Sequence, residues 1–139
     1  MRLHVIARGR IGRGPEAELV ARYLKRMTWP TVFTEIGETG PLPEAPPNSR
    51  TVVLDERGPA LSSRALADRL AAWRDDGVRE VRFLIGAADG HDEPTRAAAD
   101  LLLSFGPATW PHLLVRGMLA EQLYRATSLL AGHPYHRDG

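Results

Sequence analysis

The sequence predicts an α/β fold: a mostly parallel sheet with helices on both faces. Three observations predict it. Short apolar runs alternate with amphipathic stretches along the whole chain, the pattern of strands feeding helices. The final amphipathic stretch carries Val115, Leu119, Leu123, Ala126 and Leu130 at steps of four, four, three and four, a continuous stripe for a sheet to bury. The apolar runs stop at Arg8-Gly9, Asp55, Gly86 and Phe105-Gly106. Ligands of parallel sheets bind beyond such carboxyl ends.

The elements follow in order. Leu3–Arg8 reads as a strand. Pro15 to Met27 reads as a helix, with Pro15 in its first turn, Glu16 and Glu18 near its start, and Lys25 and Arg26 near its end. Leu19, Tyr23 and Arg26–Met27 supply its inner stripe. Thr31–Ile36 is β-branched and aromatic, hence a second strand. Gly37 to Ser49 holds four prolines and two glycines and reads as a loop. Thr51–Asp55 is a third strand. Ser62 or Ser63 caps a helix through about Asp76, with Leu66, Leu70 and Trp73 on one face and Gly77 as its stop. Val81–Ile85 is a fourth strand, Glu93–Ala99 a short helix capped by Asp92, and Leu101–Phe105 a fifth strand. The last helix runs from Pro111 to Leu130, with Thr109 as its cap and Gly132 and Pro134 beyond its end.

Composition narrows the class. At 139 residues, with 43% hydrophobic and 25% charged side chains, the chain reads as one globular domain over residues 1–139 with a sizeable core. No apolar run has the length of a membrane span and no signal-peptide pattern opens the sequence, so a cytoplasmic, membrane-free protein is expected. The absence of cysteine excludes disulfides, thiolate metal sites and cysteine nucleophiles. The formal net charge is +1, unevenly spread: residues 1–26 hold seven basic side chains against two acidic ones, and residues 27–110 hold eight against thirteen. A basic N-terminal face attracts phosphate. Equally, all but one of the 18 Lys and Arg are Arg, a habit that spreads positive charge everywhere.

Several motifs bear on chemistry. Gly9-Arg10-Ile11-Gly12-Arg13-Gly14 lies between a strand and a helix, with Glu35 at the end of the next strand. Its G-x-x-G-x-G spacing reverses the dinucleotide fingerprint, and no G-K-[ST] follows. A surface loop whose arginines suit RNA phosphate is the favoured reading, with a nucleotide-binding loop as the alternative. His133-x-x-His136 contains Pro134, so the two imidazoles cannot share a helical face, and His112 is a helix length away; no metal is expected. Trp29 and Trp73 read as core, and Trp110, in a loop at a strand end, as a platform. Gly86-Ala87-Ala88-Asp89-Gly90 is either a simple turn or a point where a ligand approaches the backbone closely. The tail from Gly132 to Gly139 follows a rigid helix and is aromatic and titratable, which marks it as part of a site.

Together, Leu84-Ile85-Gly86-x-x-Asp89-Gly90, Leu103-Ser104-Phe105, Thr109-Trp110-Pro111-His112, Val115-Arg116, Glu121-Gln122-x-Tyr124-Arg125-Ala126 and the closing Tyr135-His136 resemble the bacterial ribosomal large-subunit pseudouridine N3-methyltransferases. These are small members of the SPOUT class. The resemblance covers roughly residues 1–36 and 50–139. It implies a C-terminal trefoil knot, a homodimer, S-adenosylmethionine (SAM) as methyl donor, and N3 of a pseudouridine of 23S ribosomal RNA, on the ribosome, as acceptor. It places SAM against Leu54, Gly86 and the loop Phe105, Gly106, Pro107, Ala108, Thr109 and Trp110. This chain departs from the family pattern at Ala87, where a second glycine is usual, and in residues 37–49, where the family carries a helical segment.

For methyl transfer to pseudouridine, the N3 imide proton must leave. His136 and His133 are the candidate bases, with Tyr135 stacking on or hydrogen-bonding to the base. Arg116, Arg125 and Arg137, with Arg8, Arg10 and Arg13, are candidates to hold phosphates or balance charge on the uracil oxygens. Glu121 is expected to orient an arginine. The alternative to an enzyme is a SPOUT-like RNA- or ribosome-binding protein that has lost catalysis.

Overall fold

The strands predicted above form one five-stranded, all-parallel sheet in the computed structural model, which describes residues 1–137; the expected tail's Asp138 and Gly139 lie outside it. The elements are β1 (Arg2–Arg8), α1 (Pro15–Arg26), β2 (Thr31–Ile36), β3 (Ser49–Leu54), α2 (Ser63–Asp75), β4 (Glu80–Ile85), α3 (Glu93–Ala97), β5 (Leu101–Leu103) and α4 (His112–Leu130). The strand order is β2-β1-β4-β3-β5. Val5 of β1 lies between Phe33 and Phe83, and Val53 of β3 between Leu84 and Leu102.

That order decides which face each connection covers. The steps β1 to β2 and β3 to β4 run the same way across the sheet, so right-handed crossovers put α1 and α2 on one face. The steps β2 to β3 and β4 to β5 run the other way and send residues 37–48 and α3 to the opposite face. The first face holds the main core: Leu3, Val5, Val81, Phe83, Val52 and Leu103 pack with Leu66, Leu70 and Trp73 of α2 and Leu119, Leu123 and Ala126 of α4. On the second face the apolar cluster among the described residues is small: Ile6, Val53 and Leu84 are buried, with Leu42 of the crossover and Ala99 after α3 packed against them. The expected two-sided helical cover is therefore lopsided. Four prolines between residues 41 and 47 forbid a helix in the long crossover. Arg82 runs beneath it and donates to the Pro43 carbonyl at 2.7 Å.

α4 lies between α1 and α2, which explains why its flanks are buried as well as its predicted stripe: Arg116, Gly117, Ala120 and Thr127 all face protein. In α1 the fully buried residue is Val20, and Arg26, expected on the inner stripe, faces solvent. Caps at Ser62 and Asp92 form as predicted, each accepting from a backbone N–H three residues on. Thr109 does not cap α4. Its hydroxyl goes to Glu56 at 3.0 Å, and Pro111 stands at the cap position. β5 stops at Leu103, two residues early, because Ser104 turns to the loop after β3: its N–H donates to Pro59 O (3.0 Å) and its hydroxyl to Gly58 O (2.9 Å).

Candidate functional site

The carboxyl ends of β3, β4 and β5 enclose a cavity of about 480 Å³, within the size range of small-molecule sites. One wall is apolar, from Leu54, Ile85, Leu103, Phe105 and Trp110; the rim carries Asp55, Glu56, Asp89, His91 and His112. Of the residues expected to hold a donor, Leu54, Gly86, Phe105, Gly106, Ala108, Thr109 and Trp110 line this cavity; Pro107 does not and is exposed.

Two glycines shape the wall for different reasons. A Cβ on Gly86 would sit 3.0 Å from Gly90 C and 3.3 Å from the His91 ring, so the strand end is closed by its own turn. At Gly106 the space around a Cβ is open, but φ is +98°, which favours glycine. The kink lets the chain leave the sheet edge and rise toward α4. Ala87, where the resemblance leads one to expect a second glycine, is outside the left-handed region: Asn48 is the sole non-glycine with positive φ among the described residues. The substitution therefore introduces no backbone strain. Trp110 is 42% exposed, and its indole N–H donates to Phe105 O at 3.1 Å, which pins the ring across the cavity mouth.

The rim is organised by ion pairs. Asp55 accepts from Arg57 (backbone 2.8 Å, side chain 3.2 Å) and from Arg96 Nε at 2.5 Å. Burial alone would raise its pKa; the Arg57 and Arg96 bonds overcome this and hold it at about 2. Arg96 also reaches Glu93, so α3 is tied to the β3 end. His91 donates Nε2–H to the Leu84 carbonyl at 3.1 Å, and burial lowers its pKa. Glu56 and His91 join this rim although no motif in the sequence marks them as site residues. Position at a strand end was the usable signal, and Asp55 carried it.

In the Gly9–Gly14 loop the Ile11 N–H donates to Glu35 at 2.6 Å, so a carboxylate of the chain itself already takes that donor. Arg116, expected among the RNA-facing arginines, is 2% exposed. Its Nη1 donates to Glu35 at 2.7 Å, and its Nη2 to the carbonyls of Arg8 (2.9 Å) and Gly9 (3.0 Å). Arg8 donates to Gly37 O and Gly40 O, holding the crossover. Arg10, Arg13 and Arg137 are exposed.

The tail folds back along α4. Tyr135 meets Tyr124 edge-on at 4.7 Å, lies under Arg125 at 4.7 Å, and donates its hydroxyl to Glu121 at 3.3 Å. Burial, then the Tyr23 hydroxyl and the Glu121 charge, push the Tyr135 pKa up, so the phenol stays protonated. Arg125 donates to His136 Nδ1 at 3.2 Å, and Tyr135 N–H to His133 Nδ1 at 3.2 Å. Glu121 binds Arg125 at 2.6 Å, the orienting role expected of it. Among the described residues, no tail residue lines the cavity of its own chain. Glu121 is six residues past Val115 at the cavity floor, about 9 Å along the helix.

Among the described residues no group of three His, Asp or Glu is arranged to hold a metal, and no helix is long and apolar enough to cross a membrane.

A family model described as "Predicted SPOUT methyltransferase" matches residues 34–136. The chain is 66% identical over 140 residues to the ribosomal RNA large subunit methyltransferase H of Rhizorhabdus wittichii, with both chains covered in full. It is 57% identical over 142 residues to the protein of that name from Zymomonas mobilis, again in full. To that of Rhodospirillum centenum it is 50% identical over 151 aligned positions covering 99% of each chain, so that relative carries insertions relative to this chain.

Proposed function

This chain belongs to the SPOUT methyltransferase family, and on that premise we propose that it transfers a methyl group from SAM to N3 of a pseudouridine in large-subunit ribosomal RNA. Full-length identity to proteins named ribosomal RNA large subunit methyltransferase H carries this reading. The cavity supports SAM as donor. Its apolar wall suits an adenine between Leu54 and Trp110, its loop backbone offers groups to the purine edge, and the Asp89 carboxylate at its rim suits a cationic ligand. When bound, SAM supplies an electrophilic methyl on a sulfonium. The protein's task is then to hold the acceptor nitrogen about 3–3.5 Å from that carbon and in line.

The acceptor side falls to the tail and the arginines. Both tail imidazoles use Nδ1 as acceptor, which puts their proton on Nε2. A ring in that state donates to a uracil oxygen and stabilises the charge that develops as the imide proton leaves. To take the proton at Nδ1, His136 must release Arg125, and His133 must release the Tyr135 backbone. Tyr135, kept protonated, serves as stacking surface and donor. Because the tail does not reach its own chain's cavity, the working unit is a homodimer in which the tail of one copy completes the cavity of the other. The family's knot is part of this reading. It rests on family membership.

Isothermal calorimetry with SAM tests the donor assignment. Micromolar binding, weakened by changes at Trp110 or Gly106, is expected; binding of NAD or ATP in place of SAM would overturn it.

A further inference from the structure

The buried Arg116 belongs to neither the donor cavity nor the free RNA-facing surface, yet it makes three hydrogen bonds to segments far away in sequence. Its partners are the two carbonyls that open the Gly9–Gly14 loop and the carboxylate that binds that loop's Ile11 N–H. Glu35 is 42% exposed, and the Ile11 N–H, then Arg116, hold its pKa below the usual carboxylate range. The loop is thus fastened at residues 8 and 9 to Arg116 of α4, and at residue 11 to Glu35 of β2, which Arg116 also holds. α4 presents His112, about one turn before Arg116, and Val115, the residue just before it, to the cavity. Arg10, between the fastened residues 9 and 11, and Arg13, two residues past them, are exposed.

We propose that the Arg116–Glu35 clamp is a positioning device for the substrate RNA: it fixes Arg10 and Arg13 relative to the donor cavity so that they engage phosphates flanking the target base. The proposal rests on the RNA-methylating function above. A loop with three glycines has little stiffness of its own, so two arginines on it bind phosphate well only if the loop is already held. A buried guanidinium bonded to the loop's carbonyls and to the carboxylate that binds Ile11 provides that hold.

The test compares Glu35→Ala, Glu35→Gln, Arg10→Ala/Arg13→Ala and the combined triple variant, using the full chain and large ribosomal subunits. Read-outs are KM for the subunits, kcat, the SAM dissociation constant, and direct subunit binding by a filter assay across a salt series. Glu35→Ala is expected to raise KM and the subunit dissociation constant about tenfold, and to lower the salt slope by about 1–2, the signature of lost phosphate contacts. The kcat and SAM binding stay within twofold. Glu35→Gln, which keeps an acceptor for Ile11 and Arg116, retains most of the affinity; if Glu35→Ala does not fold, the exposed pair Arg10→Ala/Arg13→Ala decides, and wild-type subunit affinity and salt slope in that variant would overturn the proposal. The combined variant binds no worse than Arg10→Ala/Arg13→Ala, because the clamp acts through those two residues. Wild-type affinity and salt slope in Glu35→Ala, or an additive loss in the combined variant, would overturn the proposal. If wild-type protein bound subunits but methylated none, the function above would fall, while the binding read-outs would still decide the clamp.

Discussion

Truncation after Gly132 removes the segment that carries His133, Tyr135 and His136 while sparing every described residue of the cavity. The structure sets what this costs in stability. The Arg125–Tyr135 contact is worth about 0.5–1 kcal/mol, and the Tyr124–Tyr135 edge contact about 0.5–1.5 kcal/mol. The Tyr135–Glu121 bond adds up to about 1 kcal/mol. Chain entropy regained by the freed tail offsets part of this, leaving a net loss of roughly 1–2 kcal/mol. The Tm should then fall by about 3–8 °C. If the tail only braced α4, methylation well below the Tm would barely change. If it forms the acceptor side, activity falls by about 10²–10⁴, the usual scale of a lost proton-transfer or charge-stabilising group. The assay is methyl incorporation from labelled SAM at 25 °C, with Tm and SAM affinity measured alongside. Mixing the truncated chain with Gly106→Val, at a SAM concentration well below that variant's dissociation constant so that it is nearly silent alone, should restore about a quarter of wild-type activity, since half of the dimers are mixed and each has one complete site. A truncated chain with more than half of wild-type activity would refute the tail's role. Failure of the mixture to recover would refute its sharing between copies.

Gly106→Val should weaken SAM binding about tenfold, because a β-branched residue at φ +98° costs on the order of 1–2 kcal/mol whatever the space around it; unchanged calorimetry would mean the loop tolerates another path. Trp110→Ala should leave Tm within about 2 °C, the ring being 42% exposed. Its SAM dissociation constant should rise about tenfold, the scale of a lost base-stacking partner. Asp55→Asn should flatten the acid limb of stability. The folded Asp55 pKa of about 2 lies below its unfolded value, so its contribution is fully present above about pH 4 and is lost as pH falls through 2. A wild-type acid limb in the variant, followed by circular dichroism, would show that the Arg57 and Arg96 contacts carry no net stability.

The strands and helices were legible because each carries its own periodicity or cap. The α4 stripe, the Ser62 and Asp92 caps and the apolar strand cores are local patterns, and they lie where the pattern put them. Strand ends were legible as site positions too: Leu54, Gly86 and Gly106 meet at one cavity although they are far apart in the chain. What the sequence hid was set by partners distant in it. Arg116 reads as a surface arginine on a helix until α1 and the Gly9 loop close over it. Thr109 reads as a cap until Glu56 takes its hydroxyl. The tail reads as part of a site, with nothing in the sequence to say of which copy; the Tyr124, Arg125 and Glu121 contacts hold it against α4, outside the lining of its own chain's cavity. The unequal cover of the two sheet faces follows from strand order, which no local pattern encodes.

Methylation of large ribosomal subunits with labelled SAM, followed by mass-spectrometric mapping of the modified nucleotide, tests the central claim most directly. The account predicts a single methyl group on N3 of a pseudouridine, dependent on the tail and on the Gly106–Trp110 loop. No incorporation by protein that binds SAM, or a methyl group on another atom or base, would contradict it.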